Sequence, residues 1–178
     1  MSSSFDLSDV DRFTAGTVGP PGSRVFYVQA TAGGQVVTLR LEKAQVAALA
    51  GYLAELLADL PTPSPEDIPA PAELVEPVVA EWVVGQLGVA FDESVDRMVI
   101  RADEVAVDDD EEAAALELQA DATGGGSARF SLTRPQVAGF VVQAATLVAS
   151  GRPPCPLCRR PLDPEGHMCI KTNGHKSR

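Results

Sequence analysis

The residues of this chain that could do chemistry gather at its end. Gly151 to Arg178, GRPPCPLCRRPLDPEGHMCIKTNGHKSR, holds all three cysteines and both histidines. Core packing does not explain why every soft metal ligand should fall in one short segment. Cys155-Pro-Leu-Cys158 has the C-P-x-C form of a zinc knuckle, whose tight turn aims two thiolates at one point. His167-Met-Cys169 offers two more ligands on a second loop, with Pro161, Asp163-Pro164 and Gly166 shaping the path between them. Cys155, Cys158, His167 and Cys169 would make a closed tetrahedral site, the structural kind of zinc centre. His175 competes with His167 for the fourth place. His167 is preferred because a His-x-Cys pair converges from one short loop, whereas His175 lies near a fraying end.

Other chemistries fit the same residues less well. Pro154-Cys155-x-x-Cys158 matches half of the zinc deaminase signature, but no histidine precedes residue 167 to supply the H-x-E half. Four protein ligands also leave no open position for water. A thioredoxin-like redox pair needs its cysteines where a strand leads into a helix, and this pair follows the last expected helix. Outside the tail, Asp108-Asp-Asp-Glu-Glu112 lacks the ligand spacing and the glycine of a calcium loop and is expected to be a solvated loop tip. Gly124-Gly125-Gly126 does not lead into a helix, so it is expected to be a turn and not a phosphate cradle. Gln45 and Gln136 could flank a pocket, but hydrogen bonding at a helix start is the simpler role. Trp82 and Phe13 are expected to be equivalent core aromatics. No catalytic constellation stands out.

Charge and composition narrow the classes further. The formal net charge of −11 is unevenly spread, about +4 from Gly151 onward and −15 before it. An acidic body repels phosphate backbones, which argues against broad nucleic-acid binding. The tail has no aromatic residue on which a base could stack. No run of apolar residues is long enough to span a membrane, and the N-terminus MSSSFDLSDVDRF is not a secretory signal. The expectation is a cytoplasmic protein with no membrane association. Clustered cysteines there favour metal over disulfides. Three Lys, three Ile and one Asn among many Ala, Val, Gly and Arg suggest a high-GC bacterial source.

The elements before the tail read as α+β. Residues 1 to 8 are expected to be loosely held. Phe13 to Val18 forms a strand, GPPGS (Gly19 to Ser23) a turn, and Arg24 to Ala30 a second strand. Ala32-Gly33-Gly34 closes a hairpin with Gln35 to Leu41, whose Val37, Leu39 and Leu41 face in while Thr38 and Arg40 face out. Val46, Leu49, Ala50, Leu53, Leu56, Leu57 and Leu60 then make one stripe of a helix of about four turns. Pro61, Pro63 and Pro65 end it.

The second half repeats the first. Trp82-Val-Val-Gly85-Gln-Leu87-Gly88 matches the stretch from Phe13 to Gly19. ELQADATGGGSARFSLTRPQVAGFV, from Glu117, matches FYVQATAGGQVVTLRLEKAQVAALA, from Phe26. The second helix carries Val137, Phe140, Val141, Ala144, Leu147 and Val148 at the same spacing, and starts better, with Thr133 and Gln136 at a capping-box distance and Pro135 in the first turn. Val95 to Val107 is expected to be an inserted strand. The divisions are a first β-β-α repeat over 9–60, a proline-rich linker over 61–80, a second repeat over 81–150 and a zinc-binding tail over 151–178. The expected architecture is antiparallel sheet with helices packed on it, two hairpin-plus-helix units and a small zinc-knuckle tail.

The stretches GGQVVTLRLEKAQV, EWVVGQLG and CPLC…PLDPEGHMC…NGH together resemble the actinobacterial family catalogued as domain of unknown function 3090. In that family a glycine commonly follows the second cysteine and a proline the third; here Arg159 and Ile170 stand there. The resemblance implies a bacterial cytosolic protein with no established activity and supplies no catalytic residues. Three functions compete. The first is a non-enzymatic interaction or adaptor protein with a structural Zn2+ and an unidentified protein partner. The second is an enzyme, or a regulatory subunit of one, with a pocket between the repeats. The third is a nucleic-acid binder working through the tail.

Overall fold

A computed structural model describes residues 3–105, 125–151 and 155–159, together with the backbone of 167–168 and 176–177. The fold is α+β, with two sheets and two helices around one core.

The first sheet is an antiparallel meander of β2 (Arg12–Val18), β3 (Val25–Ala32) and β4 (Gln35–Leu41). Period-2 alternation puts Phe13 and Ala15, then Phe26, Val28 and Ala30, then Val37, Leu39 and Leu41 on one buried face. Register stacks them in rows: Ala15 opposite Val28 opposite Leu39, and Phe13 opposite Ala30 opposite Val37. Gly33 and Gly34 both take positive φ in the two-residue turn between β3 and β4, a conformation glycine adopts without steric cost. Helix α1 (Lys43–Ala58) follows, burying Val46, Leu49, Ala50 and Leu53.

The second sheet holds β1 (Phe5–Leu7), β7 (Ser127–Leu132), β6 (Arg97–Glu104) and β5 (Val84–Asp92), in that spatial order. Helix α2 (Arg134–Ala149) follows β7 and buries Val137, Phe140 and Ala144. Its start is the expected box: Thr133 Oγ1 accepts from Gln136 N at 3.3 Å, and Gln136 Oε1 accepts from Thr133 N at 2.9 Å.

Four expectations are corrected here. Residues 5–7 are not loose: β1 pairs in parallel with β7, and Leu7 is buried. The stretch read as an inserted strand is β6, which holds the middle place between β5 and β7 that β3 holds between β2 and β4. Phe13 and Trp82 do not occupy matching places. Phe13 stands opposite Ala30, and the residue opposite Ala102 in the other sheet is Leu87. Trp82 lies before β5 and donates its indole N–H to Ser3 O at 3.0 Å. Finally, Thr38 faces away from the core yet is buried. The strand expected from Glu117 and the acidic run Asp108 to Glu112 lie outside the described residues.

Thr38 is buried because the proline-rich connector lies over it. Gln29 Nε2 donates to Thr38 Oγ1 at 3.0 Å and to Val75 O at 3.2 Å, and Gln29 Oε1 accepts from Val75 N at 2.7 Å. Gln143 on α2 bridges the same layer, donating to Ala72 O at 2.7 Å and Ala15 O at 2.8 Å. Gly16 lets Leu74 seat there, since a Cβ on Gly16 would fall 2.5 Å from Leu74 Cγ. Each buried amide thus has its partners, which a buried polar group requires. Residues 72–75 form a strap across the outer face of the first sheet.

Two short pairings sew the sheets together. Residues just ahead of β5 pair with β4: Glu81 N donates to Thr38 O at 2.8 Å, and Arg40 N to Trp82 O at 3.1 Å. Residues just ahead of β2, those of β1, pair with β7. Each half therefore supplies the lead-in strand of the other. The helix-start glutamines add clamps at the same two junctions. Gln45 takes the N–H of Glu42 at 2.8 Å and donates to Val84 O at 3.0 Å; Gln136 donates to Val10 O at 2.6 Å.

Candidate metal centre

The tail leaves the body from an anchored point. Helix α2 ends at Ala149, and Ser150 N donates to Thr146 O at 2.9 Å. Ser150 is then gripped by Arg24 from the start of β3: Arg24 Nη1 lies 2.7 Å from Ser150 O and 2.9 Å from Ser150 Oγ. A guanidinium is well placed there, because a helix C-terminus presents unpaired carbonyls and a partial negative charge. Beside this exit is a cavity of about 220 Å³ walled by Arg24, Phe26, Lys43, Leu147 and Gly151.

Four residues beyond Gly151 the knuckle begins. Cys155 is buried and Cys158 half-buried, with a turn over residues 156–158 between them. Arg159 N donates to Cys155 O at 2.8 Å, closing one helical turn under the two sulfurs. Arg159 itself takes φ of 59°, the left-handed region. Glycine is the residue that reaches this conformation without steric cost. The turn therefore has a physical reason to prefer glycine after the second cysteine, and this chain bears the cost of an arginine there. Leu157, at the turn's tip, is exposed.

The second pair of candidates is placed only through the backbone. His167–Met168 (β8) pairs antiparallel with Lys176–Ser177 (β9), His167 opposite Ser177 and Met168 opposite Lys176. The side chain of His167, and Cys169 and His175 altogether, lie outside the described residues. Cys155 and Cys158 are accordingly the two candidates that the described residues bring onto one turn. Among the described residues no group of three or more His, Cys, Asp or Glu side chains could hold a metal ion. The chemistry of the described half fits zinc: two thiols at C-x2-C spacing on a turn closed by a backbone hydrogen bond.

Between the sheets, where the sequence would allow an enzyme pocket, the described residues leave little space. Phe13, Leu39, Leu49, Leu87, Ile100 and Phe130 surround a gap of about 10 Å³ with no polar surface. That is at the bottom of the volume one water needs, and an apolar gap of this kind stays dry. The buried polar residues among those described are Thr14, Gln29, Thr38 and Ser131, and none is a carboxylate. The residues that sequence reasoning missed are Arg24, which fixes the root of the tail, and Gln29 and Gln143, which fix the strap. A glutamine in an alternating strand carries no signal of the connector that will cover it. No helix of the described residues is long and apolar enough to cross a membrane.

The model of a family described as protein of unknown function (DUF3090) matches residues 5–169, which takes in the body, the knuckle and the His167-x-Cys169 pair. The chain belongs to that family. No curated protein and no solved structure matches it.

Proposed function

We propose that this family member is a zinc-stabilised, non-enzymatic interaction protein. In this proposal the body is a duplicated strand–strand–strand–helix unit and the tail is a structural zinc knuckle that presents a docking surface. The observation that carries it is the turn at Cys155 to Arg159. The two cysteines sit at C-x2-C spacing on one hydrogen-bonded turn, which suits them to share a metal ion, and the described residues between the sheets leave only a dry apolar gap. Cys155, Cys158 and Cys169 supply three thiolates, and His167 the fourth ligand, with His175 as its competitor. Met168 is paired with Lys176, so Cys169 and His175 each stand one residue from a paired position. That keeps the competition between the two histidines open.

Duplication is supported by the matching order of elements, by helices of 16 residues each and by the paired roles of Gln45 and Gln136. The tail has no counterpart of its own length after α1, where the chain runs on into the strap. A short segment without a core can be stabilised by zinc alone, with apparent energies of ~10–16 kcal/mol in zinc-finger peptides.

Metal analysis of protein purified under reducing, metal-replete conditions should find about one zinc per chain. Finding none sinks the site. Affinity capture from the native host, with and without residues 151–178, tests the role: loss of specific partners on truncation supports docking through the tail, and unchanged partners move the activity to the body. Arg159→Gly should relieve the left-handed arginine, an effect of about 1 kcal/mol, and so tighten apparent zinc affinity roughly fivefold in chelator competition. A weaker affinity would mean that the arginine contributes more than its backbone costs.

A further inference from the structure

The outer strands β2 and β5 hold equivalent places in the two sheets, but among the described residues only β2 is closed. Along β2, helix α2 lays two glutamines two turns apart against the free edge. Gln136 donates to Val10 O and Asp11 O, at 2.6 and 3.5 Å, and Gln143 donates to Ala15 O at 2.8 Å. Along β5, helix α1 supplies only the first of these. Gln45 Nε2 donates to Val84 O at 3.0 Å and Gly85 O at 3.3 Å. Seven residues further on, where α2 has Gln143, α1 has Tyr52, 61% exposed. From Gln86 to Phe91 the edge away from β6 has no hydrogen-bond partner among the described residues.

Beyond a bulge at Val84/Gln86 and the carboxylate of Asp92 at its far end, this edge carries few of the usual protections among the described residues. Val84-Gly-Gln-Leu-Gly-Val-Ala-Phe91 contains no charge and no proline, and Gly85, Gln86, Gly88 and Ala90 are exposed. The uncharged stretch from Gln86 to Phe91 is a template for an added strand. The neighbouring surface says what that strand should bring. Gly88 is paired with Arg101, which is paired with Arg129 on β7. Like charges placed directly opposite on one face are destabilising. Arg101 offers only its Nε to Asp103, at 3.1 and 3.2 Å, leaving both Nη groups without a partner in the described residues. Arg101 is 59% exposed. A strand added at β5 would lie two strand spacings from β6, about 10 Å, with only a glycine between. An arginine and a glutamate together span that gap.

We infer that β5 is a docking edge for an extended partner segment that places a carboxylate over Gly88, against Arg101. A second copy paired in full register about Gly88 would set glycine against glycine and offer Arg101 nothing. This deepens the interaction-protein proposal by naming a partner surface on the body. It rests on that proposal for its biological sense only, because its test leaves the metal ligands untouched.

The test uses the full-length, zinc-supplied, 15N-labelled chain and two blocked peptides, Thr-Val-Thr-Glu-Thr-Val-Thr and its Lys-for-Glu twin. The Glu peptide should shift the amides of residues 86–91 saturably and bind at least tenfold tighter than the Lys peptide, about 1.4 kcal/mol. Arg101→Glu should reverse that order. Val89→Pro, at a residue whose N–H faces away from β6, should abolish both interactions while the thermal transition persists. Shifts confined to other residues, equal binding of the two peptides, no saturable binding, or an order unchanged in Arg101→Glu would each overturn the assignment. So would a concentration-dependent dimer in sedimentation that Val89→Pro dissolves, since the occupant would then be a second copy.

Discussion

Cys155→Ser should abolish stoichiometric zinc binding, and this is the largest effect expected of any single substitution in the chain. A serine hydroxyl at neutral pH is neither deprotonated nor soft, so it does not replace a thiolate. Losing one of four ligands from a closed site should lower zinc affinity by a thousandfold or more, a fraction of the ~10–16 kcal/mol that such sites supply. The body should survive. Cys155 is buried, but it is not part of the cluster of core residues that joins the sheets and helices. The thermal transition of Cys155→Ser should therefore stay close to that of the parent while metal analysis and chelator competition read a loss. Collapse of the whole fold would mean that the knuckle supports the body directly. The histidines are separated in the same assay. His167→Ala should lose the metal and His175→Ala should keep it; the opposite result makes His175 the ligand. Zinc affinity should also fall as pH drops, because protons compete with the metal for thiolates and imidazole.

Much of this fold is legible in the sequence, and the reasons are local. The strand limits of β4 and the turn at Gly33-Gly34 follow from alternation and from glycine's access to positive φ. Both helices announced themselves through stripes such as Val46, Leu49 and Leu53. What was not legible depends on contacts distant in sequence. Phe5–Leu7 is three residues long, and only its pairing with β7 makes it a strand. Thr38 looked solvent-facing because alternation reports one covered face and says nothing of a strap that covers the other. Matching Phe13 with Trp82 failed for a related reason. Similarity of residue type outweighed position, whereas register sets Leu87 in the place that Phe13 holds. The knuckle lies between these cases. Ligand spacing singled out Cys155 and Cys158, but the left-handed Arg159 becomes meaningful only once the turn is seen.

The strap also changes what the acidic body offers. In the first sheet, outward-facing Thr14, Gln29 and Thr38 are buried and bonded beneath residues 72–75 or to α2. In the second sheet no described segment covers the corresponding face, where Arg101 and Arg129 form ion pairs to Asp103 and Asp6 at 3.1 and 3.4 Å. Both pairs are largely exposed, so each contributes little to stability.

Phe13→Ala should cost about 3–5 kcal/mol, the usual range for deleting a buried phenylalanine, and should do so in one cooperative transition. Phe13 belongs to β2, yet its ring touches the other half of the chain. Its centroid lies 5.4 Å from that of Phe130 on β7 and 4.9 Å from that of Phe140 on α2, with the planes tilted by 52° and 48°. Tilted pairs at such distances add about 0.5–1.5 kcal/mol each beyond area burial, which places the expected loss toward the upper end of the range. For a chain of this length that corresponds to a fall in Tm of roughly 6–20 °C. Exposed Val18→Ala, on the same strand, should change stability by less than about 0.5 kcal/mol. The shape of the transition decides a further point. The lead-in strands are exchanged between the halves, and the aromatic cluster spans both, so neither half has a complete core alone. Fluorescence of Trp82, which lies at one exchanged junction, and far-UV circular dichroism should therefore report the same midpoint in both parent and variant. Separate midpoints would show that the two halves unfold independently, and the shared core would then not be the unit of stability.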